Sequence, residues 1–299
     1  MKTAGVIDIG TNTVLCLKAA IDENGINIFS DNRFHYRAGK RLDEAGNISS
    51  EYKAGMKNAV HKALDTLRDC SVIKITATEV LRKPKDGAEF AGKLSEEIGR
   101  PIEIIDSQRE AELSFKGATW GIKAPGKTVA VVDIGGGSSE LAVGVDGKLK
   151  SCSGVKLGAV TACELAGYEQ PVDAYREIAD KVFSESDFSR LLDQVPDKML
   201  VVGGSATAVA AILANLDEFQ PEKLKEFLIL EEILALLTET LASMTIEQRK
   251  KIMVFDPERA DIIVSGASIL LSFMKIFGFN EINVSTNGLR HGLFLEHFS

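Results

Sequence analysis

Residues 6–13 read Val-Ile-Asp-Ile-Gly-Thr-Asn-Thr, and residues 131–138 read Val-Val-Asp-Ile-Gly-Gly-Gly-Ser, at a constant offset of 125. In each copy an apolar strand is predicted to end in an aspartate, a glycine turn follows, and a second apolar strand comes next. Both copies then reach an acidic-glycine turn, at Asp22 to Gly25 and at Asp146-Gly147. This internal repeat predicts duplicated halves that present their turns to a shared cleft, and clefts between domains are preferred ligand sites.

The domain organisation follows from length and from one break in the pattern. A chain of 299 residues corresponds to two domains at roughly 150 residues each. Proline and glycine interrupt regular structure, and Ala124-Pro125-Gly126 is the best such break. We expect an N-terminal domain at 1–123 and a C-terminal domain at 124–299, with a helix at about 288–299 that packs back on the first. Strands alternate with helices in both halves, so the fold class is α/β.

Composition excludes several classes of protein. Apolar residues make up 45% and charged residues 26%, and the formal net charge is −8, which makes a general nucleic-acid binder a poor interpretation. No apolar stretch reaches the ~20 residues of a membrane span. The four cysteines form no C-x-x-C pair, which is typical of reduced thiols and a cytoplasmic location. The chain carries neither a P-loop nor a dinucleotide fingerprint, and its four histidines lack metal-site spacing.

The two glycine turns are the strongest candidates for a binding site. A tight glycine turn exposes successive backbone N–H groups, and such a nest attracts phosphate oxygens. The adjacent aspartates Asp8 and Asp133 would repel phosphate unless Mg²⁺ bridges the two. The alternative is an ordinary hairpin in which each aspartate caps its own turn. The candidate phosphate-binding residues are Gly10, Thr11, Asn12, Thr13, Gly135, Gly136, Gly137, Ser138 and Ser139.

Two further carboxylates are candidates for chemistry. Glu140 lies on the strand after the second turn, where the predicted register turns it away from the buried side; it either reaches the cleft or is a plain exposed residue. Glu110 fits two roles. Ser107-Gln108-Arg109-Glu110 matches a capping box in which Glu110 bonds back to the helix start, but a helix-borne carboxylate near a hinge also suits a general base.

The basic residues allow two interpretations each. Arg82 follows a predicted strand and is either a bidentate phosphate clamp or a solvated helix charge. The densest basic stretch in this acidic chain either steers a polyanion or makes a loop soluble. It consists of Arg33, His35, Arg37, Lys40 and Arg41.

Taken together, these motifs resemble the Ppx/GppA family of exopolyphosphatases and guanosine pentaphosphate phosphatases, within the actin-like ATPase superfamily. The resemblance spans nearly the whole chain and rests on ordered motifs, each weak alone. They are the two Asp-Ile-Gly turns, Thr76-Ala77-Thr78-Glu79-Val80-Leu81-Arg82, Ser107 to Leu113, Gly203-Gly204-Ser205, Arg259-Ala260-Asp261 and Asn287 to Leu293.

The resemblance implies two actin-like (ribonuclease H-like) domains, with mixed five-stranded sheets flanked by helices and an inter-domain active-site cleft. It implies Mg²⁺, or alternatively Mn²⁺, as cofactor. Glu110 falls on the family's catalytic glutamate and Arg82 on its phosphate-contacting arginine. Asp8, Asp133 and Glu140 fall on carboxylates associated with metal and water, with Glu140 also a catalytic candidate. The residues at 135–138 fall on the phosphate loop, and we add Gly203, Gly204 and Ser205 to the expected substrate-binding set.

This sequence also departs from the family pattern. Arg109 and Glu112 exchange the usual charges around the catalytic position, which is expected to rearrange the helix's salt bridges. Asp86 stands where the family has an asparagine, which puts that phosphate contact in doubt. The helical C-terminal extension of longer members is missing, so a preference for very long polyphosphate chains is less certain.

The function expected from all of this is release of terminal orthophosphate from inorganic polyphosphate. The alternatives are a guanosine pentaphosphate 5′-phosphohydrolase and an actin-like nucleotide-binding protein without phosphatase activity; a small-molecule kinase on the same fold finds no clear ATP site. We expect no nucleic-acid or membrane partner. We expect a homodimer, although the apolar segment between Leu228 and Leu241 is interpretable as core or as a dimer surface.

Overall fold

The computed structural model describes residues 3–22, 25–36 and 40–298. The chain divides into two compact units, Met1–Leu113 together with Leu289–Ser299, and Ser114–Gly288. The division falls inside a helix, earlier in the chain than the expected boundary at 123/124, and the last helix belongs to the first unit. Glu23 and Asn24 of the predicted hairpin turn, and Arg37 of the basic stretch, lie outside the described residues.

The described residues of unit 1 form five strands and four helices, and a further helix, α4, begins in this unit and continues into the second. The strands are β1 Ala4–Ile9, β2 Thr13–Asp22, β3 Gly25–His35, β4 Val72–Ala77 and β5 Glu103–Ile104. The helices are α1 Ser50–Thr66, α2 Glu79–Arg82, α3 Gly87–Ile98, α4 Ser107–Thr119 and the C-terminal helix Leu289–Phe298.

The five strands form one mixed sheet in the order β3-β2-β1-β4-β5. β1 pairs with β2 in antiparallel and with β4 in parallel fashion, and it is buried along its whole length. Successive side chains of a strand point to opposite faces. Accordingly Ile7 and Ile9 join the core that includes the buried side chains of α1 and α3, while Ala4 and Val6 join the core that includes the C-terminal helix. Helices thus cover both faces of this sheet.

Unit 2 contains six strands and eight helices. The strands are β6 Thr128–Ile134, β7 Ser139–Val145, β8 Lys148–Val155, β9 Lys198–Val202, β10 Leu228–Leu230 and β11 Glu281–Val284. The helices are α5 Ala159–Ala166, α6 Val172–Ser184, α7 Phe188–Leu191, α8 Gly204–Leu213, α9 Pro221–Leu224, α10 Glu231–Ala242, α11 Ile246–Ile252 and α12 Ile263–Phe277, with a 3₁₀ turn at Pro257–Arg259.

The second sheet has the order β10-β11-β9-β6-β7-β8 and is also mixed. Two mixed sheets flanked by helices confirm the predicted α/β class. The expectation of five strands in each sheet is wrong for this unit, because β10 adds a sixth strand. Only Ile229 of β10 is buried, between exposed Leu228 and Leu230, and three residues are too few to show a strand period.

Helix α12 lies at the centre of the second unit. Its residues from Ile263 to Met274 are all buried, and it packs against α6, α10, α5 and α8. A helix that is buried all round can be apolar all round, and this explains why the segment is so hydrophobic without being a membrane span. Among the residues that the structure describes, no helix is long and apolar enough to cross a bilayer.

Candidate active site

The internal repeat becomes two turns of the same construction. In the first turn (residues 10–13) the Gly10 amide donates to the Thr13 carbonyl at 3.1 Å, and in the second turn (135–138) the Gly135 amide donates to the Ser138 carbonyl at 3.0 Å. Each turn joins two antiparallel strands, and the strand that enters it is flanked by a parallel strand, β4 or β9. The repeat therefore specifies the same local backbone in both units.

The carbonyl groups of the first turn are each held by a tyrosine. The Tyr36 hydroxyl donates to the Gly10 carbonyl at 2.5 Å, the Tyr52 hydroxyl donates to that of Thr11, and the Tyr36 amide donates to that of Asn12 at 3.4 Å. Burial, with Tyr52 alongside, raises the pKa of Tyr36, so its hydroxyl stays protonated and remains a donor. Sequence reasoning missed both tyrosines.

The carbonyl groups of the second turn are held by the start of helix α5 instead. The Ala159 amide donates to the Gly135 carbonyl at 3.0 Å and the Val160 amide to that of Gly136 at 2.8 Å. The Thr161 hydroxyl donates to the Gly137 carbonyl at 2.9 Å. The first amides of a helix have no partner within it, so the turn satisfies them.

The anchoring of these carbonyls sets the direction of the neighbouring amides. In a trans peptide the N–H points opposite to the C=O. With the carbonyls directed toward the tyrosines or α5, the amides of Thr11, Asn12, Gly136 and Gly137 are directed away from those anchors. Successive amides aligned in this way form an anion-binding concavity. Both turns thus have their amides arranged as a phosphate cradle would require.

Three of the hydroxyls predicted to assist these cradles, those of Thr11, Thr13 and Ser139, have protein partners. The Ser139 hydroxyl donates to the Leu157 carbonyl at 2.6 Å, and the Thr11 hydroxyl donates to Glu79 at 3.4 Å. The Thr13 hydroxyl lies 3.2 Å from the His35 ring and 3.2 Å from the Asn12 side chain. These contacts stabilise the turns, so the backbone amides are the groups best suited to contact a substrate.

Asp133 and Glu140 lie directly opposite each other in the β6–β7 register, which puts both carboxylates on one face of the sheet. Glu140 is buried, so the alternative of an exposed strand residue is wrong. The Ser114 hydroxyl donates to Asp133 at 2.6 Å. Two facing carboxylates repel, and a hard cation with oxygen ligands relieves this; Mg²⁺ is commonly held by one or two carboxylates with water and phosphate completing its shell.

Asp8 occupies the equivalent position in unit 1 and is buried, but the residue opposite it is Leu15. The repeat therefore carries the carboxylate pair in its second copy alone. Within the described ranges, no cluster of three or more acidic, histidine or cysteine side chains has a metal-binding arrangement.

The start of helix α4 bears on the two roles of Glu110. Ser107 is the first helical residue, and the cap is Asp106, whose carboxylate accepts the Arg109 amide at 2.8 Å. The predicted capping box is therefore shifted by one residue, with Asp106 in place of Ser107 as the cap. Oε2 of Glu110 lies 3.2 Å from Nη1 of Arg82, and this ion pair holds the carboxylate in position.

Arg82 is itself held by the same segment. Its Nη1 donates to the Ile105 carbonyl at 2.5 Å and its Nη2 donates to the Ser107 hydroxyl at 3.1 Å. Its side chain is 25% exposed. The structure thus brings Arg82 and Glu110 together, and a fully solvated Arg82 is not what is observed.

The departures from the family pattern have clear structural consequences. The Asp86 carboxylate accepts the Ile48 amide at 2.9 Å and pairs with Lys53 at 2.6 Å. Burial raises the pKa of Asp86, but these two contacts lower it by more, so it lies below the usual value and the group is ionised.

Arg109 pairs with Glu112 at 3.1 Å and also with Glu296 of the C-terminal helix, so the charge exchange links two helices of unit 1.

The Gly203-Gly204-Ser205 segment forms the start of helix α8. Gly203 has φ = 105° and approaches the Ile134 carbonyl, which only a residue without Cβ permits.

The guanidinium of Arg259 lies against Gly204 and is paired with Asp256 at 3.1 Å. A cation at the positive end of a helix suits an anionic ligand. The Ser205 hydroxyl packs against Gly266 of α12, away from that ligand position.

Comparison with known proteins shows that the chain is a member of a family of phosphatases. The family model for the Ppx/GppA phosphatase family matches residues 18–299, and the chain belongs to that family. Phosphatases of this family are generally dependent on a divalent metal.

Two curated relatives illustrate its range. A guanosine-5′-triphosphate,3′-diphosphate pyrophosphatase of Vibrio parahaemolyticus is 26% identical over 299 residues; the alignment covers 97% of this chain but 58% of that protein. This chain thus spans little more than half the length of that relative. Exopolyphosphatase 2 of Mycobacterium tuberculosis is 23% identical over 316 residues, covering 99% of this chain and 98% of the relative.

Solved structures share the fold over the whole chain. The Ppx/GppA family member of Aquifex aeolicus aligns with a TM-score of 0.80 at 23% identity, covering 99% of this chain and 97% of that one. An exopolyphosphatase of Cytophaga hutchinsonii aligns with a TM-score of 0.86 at 23% identity, covering 99% and 98%. These likenesses confirm the fold predicted from the family resemblance.

Proposed function

We propose that this protein is an exopolyphosphatase that releases terminal orthophosphate from inorganic polyphosphate, with Glu110 as the general base. The observation that carries the proposal is the state of Glu110. Its carboxylate is buried and is paired with Arg82 at 3.2 Å. A base must be held in position before the substrate binds, and this contact does so.

In the proposed step, Glu110 accepts a proton from a water molecule whose oxygen forms a bond to the terminal phosphorus. The phosphoanhydride P–O bond breaks, and the shortened polyphosphate leaves with the electron pair. Arg82 and the amides of the first turn stabilise the negative charge on the transferred group. Arg82 suits this role because its guanidinium is already fixed by the Ile105 carbonyl and the Ser107 hydroxyl.

We propose Mg²⁺ as the cofactor, with Mn²⁺ as an alternative, held by Asp133 and Glu140, and we retain Asp8 as a third candidate ligand. The facing carboxylates of β6 and β7 are the oxygen donors that this hard cation prefers. When bound, the cation would neutralise charge on the phosphate oxygens.

Polyphosphate is the first substrate that we propose, and guanosine pentaphosphate is the second. The match to Exopolyphosphatase 2, which covers 98% of that relative, supports polyphosphate. Arg259 at the start of α8 supports an anionic ligand in either case.

The test is a panel of polyphosphate, guanosine pentaphosphate and ATP, with Mg²⁺ and with chelator, on wild type and Glu110→Gln. Loss of a general base lowers turnover by about 10²–10⁴-fold. The matched control is Glu112→Gln, which neutralises a half-buried glutamate two residues further along the same helix, and its turnover should stay within about threefold of wild type. Near-normal turnover of Glu110→Gln would refute the assignment, and ATP binding without hydrolysis of either polyanion would favour the nucleotide-binding alternative.

We also propose that the protein is a homodimer. Leu228, Leu230, Ile233 and Leu236 are exposed apolar side chains on β10 and α10, whereas Leu234 and Leu241 of the same segment are buried. The segment is thus partly core and partly surface. Sedimentation of wild type and of a Leu236→Glu variant tests whether this surface joins two copies.

A further inference from the structure

Arg41 belongs to the basic stretch for which the sequence allowed only two roles, and the structure excludes both. Its side chain is 1% exposed, so it neither steers a polyanion in solution nor makes a loop soluble. Instead its Nη1 lies 2.5 Å from Oε2 of Glu79, whose side chain is 4% exposed. A fully buried ion pair between a loop residue and the first residue of α2 is costly in desolvation, and it calls for an explanation.

The position of Glu79 supplies that explanation. The Glu79 oxygen that pairs with Arg41 also accepts the Thr11 hydroxyl at 3.4 Å, so the pair lies directly beside the first turn. Glu79 is also the first residue of α2, the four-residue helix that ends at Arg82. One carboxylate therefore connects the first turn to the short helix that carries the arginine paired with Glu110.

A carboxylate beside a phosphate cradle has an electrostatic cost. At this depth the charge of Glu79 is poorly screened, and without compensation it would repel a phosphate held by the amides of the first turn. Lys83 lies 3.8 Å from the other oxygen, but its side chain is 38% exposed, so it compensates less. Arg41 is the cation placed to cancel this charge.

We infer that Arg41 and Glu79 are a positioning pair: Glu79 holds Thr11 and α2 in place, and Arg41 neutralises Glu79 so that the first turn accepts an anion. Neither residue needs to touch the substrate. The inference rests on the proposed function, because it assigns phosphate binding to the first turn.

The inference predicts different effects on the KM for polyphosphate when Arg41 and Glu79 are replaced singly. Arg41→Met removes the cation at similar volume and leaves the carboxylate uncompensated, so the KM for polyphosphate should rise at least tenfold. Glu79→Gln keeps the shape and the Thr11 contact but leaves a cation near the turn, so KM should stay within threefold or fall. The double variant restores neutrality, and its KM should return to within threefold of wild type.

A pair with a purely structural role would behave differently, since both single variants would then raise KM alike and the double variant would not recover. That pattern of KM values overturns the inference, whereas a lower Tm is expected of both single variants because each leaves one buried charge without its partner. Lys57→Met is the matched control, because it removes one cation of an exposed pair with Glu97 in the same unit and should leave KM unchanged. If Arg41→Met does not fold, Arg41→Lys should keep KM within threefold, and a tenfold rise with Arg41→Lys and Glu79→Gln alike overturns the inference.

Failure of the proposed function is separable from failure of the inference. Calorimetric titration of tripolyphosphate into the same variants measures anion binding without turnover. If wild type binds tripolyphosphate but hydrolyses nothing in the panel, the exopolyphosphatase proposal fails while the ordering of the variants still tests the pair. If tripolyphosphate binds all variants with equal affinity, the inference is wrong whatever the activity.

Discussion

Replacement of Gly158 by alanine tests the phosphate-cradle interpretation of the second turn. Gly158 precedes α5, and a Cβ at this position would lie 2.5 Å from the Gly136 carbonyl carbon and 2.6 Å from the carbonyl oxygens of Gly135 and Gly136. Its φ of −142° is open to alanine, so the conflict is steric and not one of backbone conformation. Because the atoms met are backbone atoms, the turn itself must move.

The magnitude follows from these distances. Relief of the overlap requires a displacement of about 0.5–1 Å, since close-packed interiors offer no free space. Misplacement on the order of 1 Å costs up to about 10²-fold in rate. Overpacking also costs about 1–3 kcal/mol in the free energy of unfolding, and at ~2–4 °C per kcal/mol for a unit of this size the Tm should fall by roughly 2–12 °C.

The assay is steady-state phosphate release at saturating polyphosphate, with thermal unfolding followed by circular dichroism. Gly92→Ala is the control, because a Cβ there meets nothing within 4 Å in helix α3; it should leave activity unchanged and stabilise by about 0.5–1 kcal/mol. If Gly158→Ala loses several degrees of Tm but keeps wild-type kcat and KM, the second turn is structural and the cradle interpretation is refuted.

Three further outcomes are expected from unit 1. Burial, with Arg290 alongside, lowers the pKa of His291 to about 3. Below the ordinary pKa of histidine the unfolded chain therefore binds a proton that the folded chain does not, so the free energy of unfolding should fall by about 2 kcal/mol between pH 7 and pH 5. Chemical denaturation of His291→Gln should lack this pH-dependent fall. Asp31→Asn removes one partner of the buried bidentate pair with Arg290, at 2.6 and 2.7 Å, and should destabilise by about 3 kcal/mol; a loss below 1 kcal/mol in urea unfolding would contradict that. Tyr52→Phe deletes the donor to the Thr11 carbonyl and should cost about 1–2 kcal/mol with a raised KM for polyphosphate; an unchanged KM would show that this anchor does not shape the turn.

The prediction of unit boundaries illustrates how local signals differ from contacts. Ala124-Pro125-Gly126 is a genuine loop, but the units divide within α4, at Leu113/Ser114. Helix α4 continues across the division because its backbone hydrogen bonds join residues that are close in the sequence. The division into compact units depends instead on which strands the side chains of the helix contact. Likewise β10 exists because Leu228 to Leu230 pairs with β11, some fifty residues later in the chain.

The sequence by itself determined the two Asp-Ile-Gly turns, their strands, and the candidates Arg82 and Glu110, because turn chemistry and apolar periodicity act over a few neighbouring residues. The tertiary structure alone decided what surrounds them. Tyr36, Tyr52 and the start of α5 hold the turn carbonyls, Asp106 replaces Ser107 as the cap, and Arg41 is buried on Glu79. The physical reason is that a hydrogen bond or ion pair between residues tens of positions apart depends on how the elements pack, and a single sequence carries no periodic signal for it.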